Sequence, residues 1–519
     1  MSKLTEYLNN LEILDLIARQ KSDPELEYAF KHVFTQESVY GSLLYSDRRQ
    51  IHQQVGEALE AVLANNTRDG EVALMLAYHF EQSGDKARAL KYLKQAADNA
   101  RATYANQEAR SLYNRALALL KRDDYVQRWE ILANQEIILD RMGERDQQAD
   151  TLTQMQTLAE LTQDNVRLAI THNRRSAYFD KISEYRASAE AAEVGLRIAQ
   201  RSANAPLQAE SFNLLALAAW RRFDYPQVQK WATDALNALK VAGNPETRVA
   251  SLFHLGRASY RLGQYDVALH YLHAARDLTR SMDNREGEAT SHLVLGWIYQ
   301  RLGDYDRAAE HYQAKLELRR MTGSRYGEAT ALSHLGWLAY DQHNPHAGLE
   351  YCQQALDISR SVNDRENESY ALSGFGLNYE QLDQLELASA NYQAALAMHQ
   401  DIGATTLAVF DLAGLARLAL AQNDVDEACR YITSVVDWIQ TGNAQKFWDP
   451  WIIYQSGYRV LTALGDTDQA NAILDEAYSI LQQRANEISD AHLRDCFLTK
   501  VAVNREIIAA WQQARRPQS

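Results

Sequence analysis

Apolar residues recur along the chain at helical spacing, and the pattern they make returns every forty residues. The segments FHLGRASYRLGQYDVALHYL, HLVLGWIYQRLGDYDRAAEHY, LSHLGWLAYDQHNPHAGLEYC and LSGFGLNYEQLDQLELASANY align without a gap. Their Leu-Gly or Phe-Gly pairs stand at Leu255-Gly256, Leu295-Gly296, Leu335-Gly336 and Phe375-Gly376. The phase extends outward to Leu215-Ala216 and Leu415-Ala416, which makes six copies in one register. In each copy an apolar stripe, such as Leu252, Leu255, Tyr260 and Leu262, runs into a short turn and then a second stripe. The turns read Gly263-Gln264-Tyr265, Gly303-Asp304-Tyr305 or Asn423-Asp424-Val425. Two stripes of period 3.6 joined this way predict a helical hairpin. Gly256 and its equivalents let the first helix approach the second, and Ala268, Ala308, Ala388 and Ala428 do the same from the second helix. Val228 and Gly348 break that alanine rule, and Lys315 stands where other copies have Ala275, Ala355 and Ala395. A lysine there is expected to send its ammonium outward to water.

Beyond these copies the pattern fades. Residues 72–97 make a hairpin turning at Gly84-Asp85, residues 101–120 and 127–160 read as degenerate helical pairs, and a further hairpin turns at Gly465-Asp466. A last helix, about 486–513, is expected to cap the array with a more polar surface. The chain therefore divides into an N-terminal helical coupling segment at 1–65, degenerate hairpins at 66–170, regular repeats at 171–440, and a final hairpin with capping helix at 441–519. No Pro/Gly/Ser-rich linker interrupts it, so the expected fold is all-α, one right-handed superhelical solenoid of antiparallel hairpins with period forty.

Composition narrows the function. Only 7 prolines and 23 glycines occur in 519 residues, too few for a sandwich or barrel. The excess of Asp+Glu (68) over Lys+Arg (54) gives a formal charge of -14, which repels phosphate backbones and disfavours nucleic acid as a partner. No apolar run is long enough to span a bilayer and no leader pattern begins the chain, so a cytoplasmic protein without membrane contact is expected. Cys352, Cys429 and Cys496 are too far apart for a zinc knuckle or redox pair and read as small buried hydrophobes. No phosphate loop, HExxH or GxSxG occurs, and His270 with His273 lacks a third ligand. No cofactor, metal or catalytic residue is expected, and the chain reads as non-enzymatic. Arg285, Arg325 and Arg365 each precede Glu288, Glu328 or Glu368 by three residues. Each glutamate suits the first turn of a helix, and each arginine is expected to pair with it locally.

The Leu-Gly pair followed by a Gly-Asp-Tyr turn and a small-residue second helix resembles the tetratricopeptide repeat family across about residues 170–440. Their forty-residue spacing is similar to repeats of spindle-orientation adaptors and of sensor arms in large bacterial signalling ATPases. The resemblance implies that first helices line a concave groove. The positions two, five and six after the Leu of Leu-Gly would face it: Leu217, Trp220 and Arg221; Arg257, Tyr260 and Arg261; Trp297, Gln300 and Arg301; Trp337, Tyr340 and Asp341; Leu377, Glu380 and Gln381. Arg221, Arg261 and Arg301, one repeat apart and flanked by aromatics, would then grip an acidic protein or peptide. The same residues serve equally as interhelix core, with the arginines paired to Asp304, Asp306 or Asp266.

The stretch LEYAFKHVFTQESVYGSLLYSDRRQIHQQVGEALE is similar to the segment after the ATPase module in bacterial proteins joining a class III nucleotide cyclase, a signalling ATPase and a tetratricopeptide array. The matched residues are Leu26 to Phe30, His32, Glu37, Tyr40 to Leu44, Arg48, Arg49, His52 and Glu57. The resemblance implies a helical coupling arm; by their spacing Phe30, Val33 and Phe34, then Val39, Tyr40, Leu43 and Leu44, fall on helical packing faces, with His32 as a packing histidine. Its functional expectation is a repeat scaffold in bacterial signalling, or a regulatory subunit acting in trans on a separate ATPase or cyclase. No nucleotide chemistry carries over, because the phosphate loop is missing.

Overall fold

The computed structural model describes residues 3–21, 27–62, 70–240, 244–442 and 450–515; Leu26 and the boundary expected at 65 and 66 lie outside them. The described residues form 26 helices and one two-stranded hairpin. They divide into two compact units, residues 1–178 and 179–519.

In the first unit, α1 (Lys3–Ile13) precedes β1 (Ile17–Lys21) and β2 (Glu27–Phe30), followed by α2 (Val33–Ser42), α3 (Tyr45–Val62), α4 (Gly70–Ser83) and α5 (Lys86–Ala102). Then come α6 (Asn106–Leu119), α7 (Tyr125–Met142), α8 (Arg145–Leu161) and α9 (Asn165–Lys181), which runs past the unit's end. The strands pair antiparallel with Ile17 opposite Phe30 and Arg19 opposite Tyr28. This corrects the all-helical coupling segment: Tyr28-Ala-Phe30 alternates its side chains on a strand, as a short aromatic and aliphatic run does when a partner strand is near. Phe80, Tyr92, Leu93 and Tyr113 centre the core of the next helices. Gly56 of α3 lets it approach α4, since a Cβ there would lie 3.0 Å from the Phe80 ring.

In the second unit the order is α10 (Tyr185–Arg201), α11 (Ala205–Arg221), α12 (Tyr225–Ala238), α13 (Pro245–Arg261), α14 (Tyr265–Ser281), α15 (Arg285–Arg301) and α16 (Tyr305–Met321). It continues with α17 (Arg325–Asp341), α18 (Pro345–Ser361), α19 (Arg365–Gln381), α20 (Leu385–Asp401), α21 (Thr405–Ala421) and α22 (Val425–Gln440). Most are 17 residues long and follow a three-residue turn, so the forty-residue repeat is two twenties. The turn chemistry explains the length. One residue per turn is left-handed, as at Gly263, Asp283, Gly303, Gly323, His343, Asn363, Asp383, Gly403 and Asn423. The next residue caps the following helix in many copies: the side chains of Asn284, Asp304, Ser324, Asn344, Asp364 and Asp424 accept a hydrogen bond from a backbone N–H in the first turn.

The small-residue expectation holds where it can be measured. A Cβ on Gly256 would lie 2.5 Å from Leu272 Cγ, one on Gly336 2.6 Å from Cys352 Sγ, and one on Gly376 2.6 Å from the Tyr392 ring. Ala268, Ala308, Ala388 and Ala428 are fully buried, as is Val228. Lys315 does not reach outward; it is 2% exposed. Its neighbours in the repeat are buried alanines packed against the first helix, and from that position the lysine stem runs inward. Cys352 and Cys496 are buried, whereas Cys429 is exposed, which corrects one of the three cysteine expectations.

The arginine pairing also differs in part. Glu288, Glu328 and Glu368 are held by Arg280, Arg320 and Arg360 of the preceding helix at 2.7, 2.8 and 2.8 Å. Arg325 does pair with Glu328, at 2.7 Å, but Arg285 turns to Asp283 and Arg365 to Asp401. An arginine eight residues upstream crosses the turn to meet each glutamate, of which Glu288 and Glu328 are buried and Glu368 half-buried.

The C-terminal part comprises α23 (Trp451–Ala463), α24 (Thr467–Glu487), α25 (Ala491–Thr499) and α26 (Ala502–Ala514). The expected single capping helix is broken at Ile488 to Asp490, where the Asp490 side chain caps α25. These helices fold back onto the middle of the array. The backbone N–H of Ser489 donates to Asp266 Oδ2 at 2.5 Å, and Phe497 packs on Tyr265. Gly303 is needed at this junction, because a Cβ there would lie 2.9 Å from the Cys496 carbonyl oxygen and its φ is +75°.

Candidate functional site

The first helices of successive repeats, α11, α13, α15, α17 and α19, share one face, and on it opens a cavity of about 640 Å³. Trp220, Phe253, Tyr260, Trp297 and Tyr370 supply aromatic walls; Arg257, Arg261, Arg319 and Lys315 supply cations. Of the nine expected groove residues, Trp220, Arg257, Tyr260, Arg261 and Trp297 line this cavity. Arg301, Trp337 and Tyr340 line a second space of about 160 Å³, whose far wall is Ile452 and Arg459 of α23 with Val501 to Val503 and Glu506 at α26. Arg221 lines neither. Its guanidinium grips Asp180 through two bonds of 2.9 and 3.0 Å.

The three arginines one repeat apart therefore do not form a continuous strip. Arg221 is neutralised, Arg261 faces the open cavity, and Arg301 is buried. Trp337 belongs to the core: it stacks on Tyr370 at 4.4 Å between ring centroids, lies against Phe410, and donates Nε1–H to the Tyr370 carbonyl at 3.1 Å. The far end of the expected groove is occupied by the chain's own last helices.

Within the open cavity most polar groups are committed. Arg257 lies over the Trp220 ring at 4.1 Å and donates to His254 Nδ1 at 2.7 Å. Burial, together with Arg221 nearby, pulls Arg257 down to about 9 and, with Arg257, holds His254 well below its ordinary value. Arg319 pairs with Glu286 and reaches Thr290 Oγ1 at 3.3 Å. Trp297 donates Nε1–H to His334 Nε2 at 3.2 Å, and Tyr312 stacks on the His334 ring. His334 is kept neutral by burial and by Lys315 and Arg301 close by.

Three cations of the cavity, Arg257, Arg261 and Lys315, have no carboxylate partner among the described residues. Arg261 rests over Trp220 and Tyr225, and its Nη1 is buried without a hydrogen-bond partner. Lys315 lies deeper, and burial alone lowers it from 10.5 to about 7. Phe253, Lys315, Arg319 and Tyr370 line the cavity without belonging to the nine expected residues, and Lys315 was expected to point outward. The visible sign for Lys315 was its departure from the alanines at 275, 355 and 395.

Of the coupling residues in the first unit, three are knit together. Tyr40 Oη meets His52 Nε2 at 2.9 Å, Arg48 donates to the Leu43 carbonyl at 3.1 Å, and Arg49 donates to the Ser83 carbonyl at 2.7 Å. Phe30, His32 and Phe34 make no packing face; Phe34 is 81% exposed, and Phe30 and His32 are exposed as well. Strand geometry at Phe30 and the helix start at Val33 turn them toward solvent.

Paired antiparallel helices repeating every forty residues with a shared first-helix face define a helical-repeat scaffold. The tetratricopeptide repeat family matches residues 248–321 and 327–401, so the chain carries tetratricopeptide repeats. No curated protein matches it. Among solved structures it is similar to a Rap protein complexed with competence and sporulation factor, at 13% identity over 70% of this chain and 100% of that one, with a TM-score of 0.50. It is also similar to the apo quorum sensor NprR of B. thuringiensis (13% identity, 69% and 99% covered, TM-score 0.49). A signal transduction ATPase with a tetratricopeptide repeat sensor from Pyrococcus horikoshii covers 96% of this chain and 72% of its own, at 15% identity and a TM-score of 0.45. No helix among the described residues is long and apolar enough to cross a membrane.

Proposed function

We propose that this chain is a non-catalytic scaffold that captures an acidic peptide segment of a partner in the cavity lined by α11 to α19, as a sensing or regulatory arm in bacterial signalling. The observation that carries this reading is a set of three cations without carboxylate partners among the described residues, Arg257, Arg261 and Lys315, inside an aromatic-walled cavity of a chain whose formal charge is -14. Desolvated cations cost free energy unless an anion arrives, and rigid aromatics give contact area at low entropic cost. The Rap protein of similar fold is complexed with competence and sporulation factor, a precedent for a ligand held by such an array. The test is affinity selection of a random peptide library on the immobilised full chain. Acidic peptides should be enriched, and Arg257→Glu with Arg261→Glu should abolish the enrichment while helicity stays unchanged. Equal enrichment by the double variant would refute the reading.

A second reading, a regulatory subunit acting in trans on a separate ATPase or nucleotide cyclase, has in its favour the exposed apolar residues Val33, Phe34, Leu44 and Tyr45 of the first unit. Co-purification with such an enzyme, lost on Phe34→Asp, would favour it; retention after the substitution would remove it.

A further inference from the structure

Lys315 interrupts a rule of the fold. At the equivalent positions of other repeats Ala275, Ala355 and Ala395 are fully buried on the second helix of the hairpin. Lys315 occupies the same position on α16, is itself 2% exposed, and lines the 640 Å³ cavity with no ion pair or hydrogen bond among the described residues. The other cations near it are engaged or lie higher. Arg319 is taken by Glu286, Arg257 by His254 and the Trp220 face, and Arg261 by the Trp220 and Tyr225 faces. One deep positive charge is left over, and one negative charge matches it.

We propose that Lys315 is the anchor for a single carboxylate of the captured peptide, carried into the cavity beside an apolar residue. The inference rests on the groove reading above and names its ligand chemistry. A bare anion would lose its hydration on entry without compensation; an apolar neighbour seated against Trp297, Phe253 and Tyr260 offsets that cost. A phosphate dianion needs more donors than one ammonium, and of the arginines around it Arg319 is held by Glu286 and Arg257 by His254.

The titratable and charged groups that line the cavity with Lys315 bear on how capture depends on pH. From α13 come Arg257 and Arg261, and from α15 Glu286, which is held by Arg319 of α16. From α17 come Tyr326 and His334, and from α19 Glu366 and Tyr370. His334 stays neutral and Arg257 stays charged across neutrality, while the buried amine of Lys315 changes charge near 7. A carboxylate at its side favours the ammonium, so the empty site takes up a proton when an acid binds above that pH. Affinity for the acid then falls up to tenfold for each pH step of about one above neutrality, until the bound-state value is reached.

The experiment uses the full chain and two random peptide libraries, one ending in a free carboxylate and one in an amide, with phosphoserine included in both. Wild type should enrich a carboxylate next to an aromatic or aliphatic residue, in both libraries if it is a side chain and in the first alone if it is the terminus. Lys315→Met should lose that preference by at least tenfold, and Lys315→Ala, which restores the repeat's own residue, should do the same with the fold intact. Peptides synthesised from the selected sequences should bind wild type with proton uptake at about pH 8, seen as a buffer-dependent heat, and Lys315→Met should show none. Unchanged acid preference in both variants, or preference for phosphoserine, overturns the proposal and leaves the groove reading standing. Failure of wild type to enrich any peptide overturns both.

Discussion

A lysine held without a partner should weaken the fold it sits in, and its removal gives a measurable gain. Replacing Lys315 by Met keeps the unbranched stem and deletes the charge. In the unfolded chain the amine ionises near its ordinary value of 10.5, and in the folded chain near 7. The unfolded state therefore binds more protons between these limits, and wild-type stability rises with pH across that window. At about 1.4 kcal/mol for each tenfold change in proton affinity, burial of the amine costs about 4 to 5 kcal/mol at and below neutral pH and less than about 1 kcal/mol near pH 10. The second unit is a repeat array, so the local opening free energy is the quantity to read, by hydrogen exchange of the amides in α15 to α17. Comparison of variant and wild type at one pH cancels intrinsic exchange rates. At about pH 7 Lys315→Met should slow exchange there by a factor of 30 or more, about 2 kcal/mol even after water in the cavity has screened the amine. The advantage should shrink to near nothing at about pH 10. Faster exchange in the variant at neutral pH, or an advantage of the same size at both pH values, refutes the reasoning.

Three further outcomes follow from the packing. His292 and His311 meet through their Nδ1 atoms at 2.8 Å and are pushed by burial to about 4 and about 3, so stability present above about pH 6.5 should fall as pH drops toward 4; His311→Gln should flatten that slope in urea titrations at pH 7 and 5. Gly376→Ala, which crowds the buried Tyr392 ring, should cost about 1–3 kcal/mol in thermal unfolding, whereas Gly323→Ala, with open space around it, should cost only the strain of its left-handed backbone, about 1 kcal/mol. Phe497→Ala removes a fully buried ring that touches Tyr265 and Trp451, and should cost about 3–5 kcal/mol and open the 488–501 region to limited proteolysis, while the helices of residues 245–401 stay protected.

Local rules were legible in the sequence because they repeat. The Leu-Gly pairs answer to contacts inside one hairpin, the left-handed residues to the turn geometry at each helix end, and both recur forty residues on. What depends on contacts between distant segments left no period to read. Arg221 and Arg261 occupy equivalent positions, yet Asp180 neutralises one, while the other rests on aromatic faces with no carboxylate partner among the described residues. Trp297 and Trp337 are likewise equivalent, but Tyr370 and Phe410 bury only the second between stacked rings. The strand at 27–30 competes with helical propensity in a short aromatic run, and its pairing with residues 17–21 decided the outcome. Lys315 was noticed as an exception, and its direction was misjudged because snorkelling is a surface habit and α16 offers that side chain no surface.

The contact between Ser489 and Asp266 spans 223 residues of chain. In an open array every contact is between neighbours, so stability is a sum along a line and the ends fray first. Here the break after α24 and helix α25 are fastened to the start of α14 and the turn after α15, and the line becomes a ring. Closing a loop of that length costs on the order of 5 kcal/mol of chain entropy, which the buried side chains of Phe497, Cys496 and Val501 must offset. The closure can form only after the intervening helices are in place, so it is expected as the last event of folding, and a destabilising change in α14 should be felt at residue 497 before it is felt in α20.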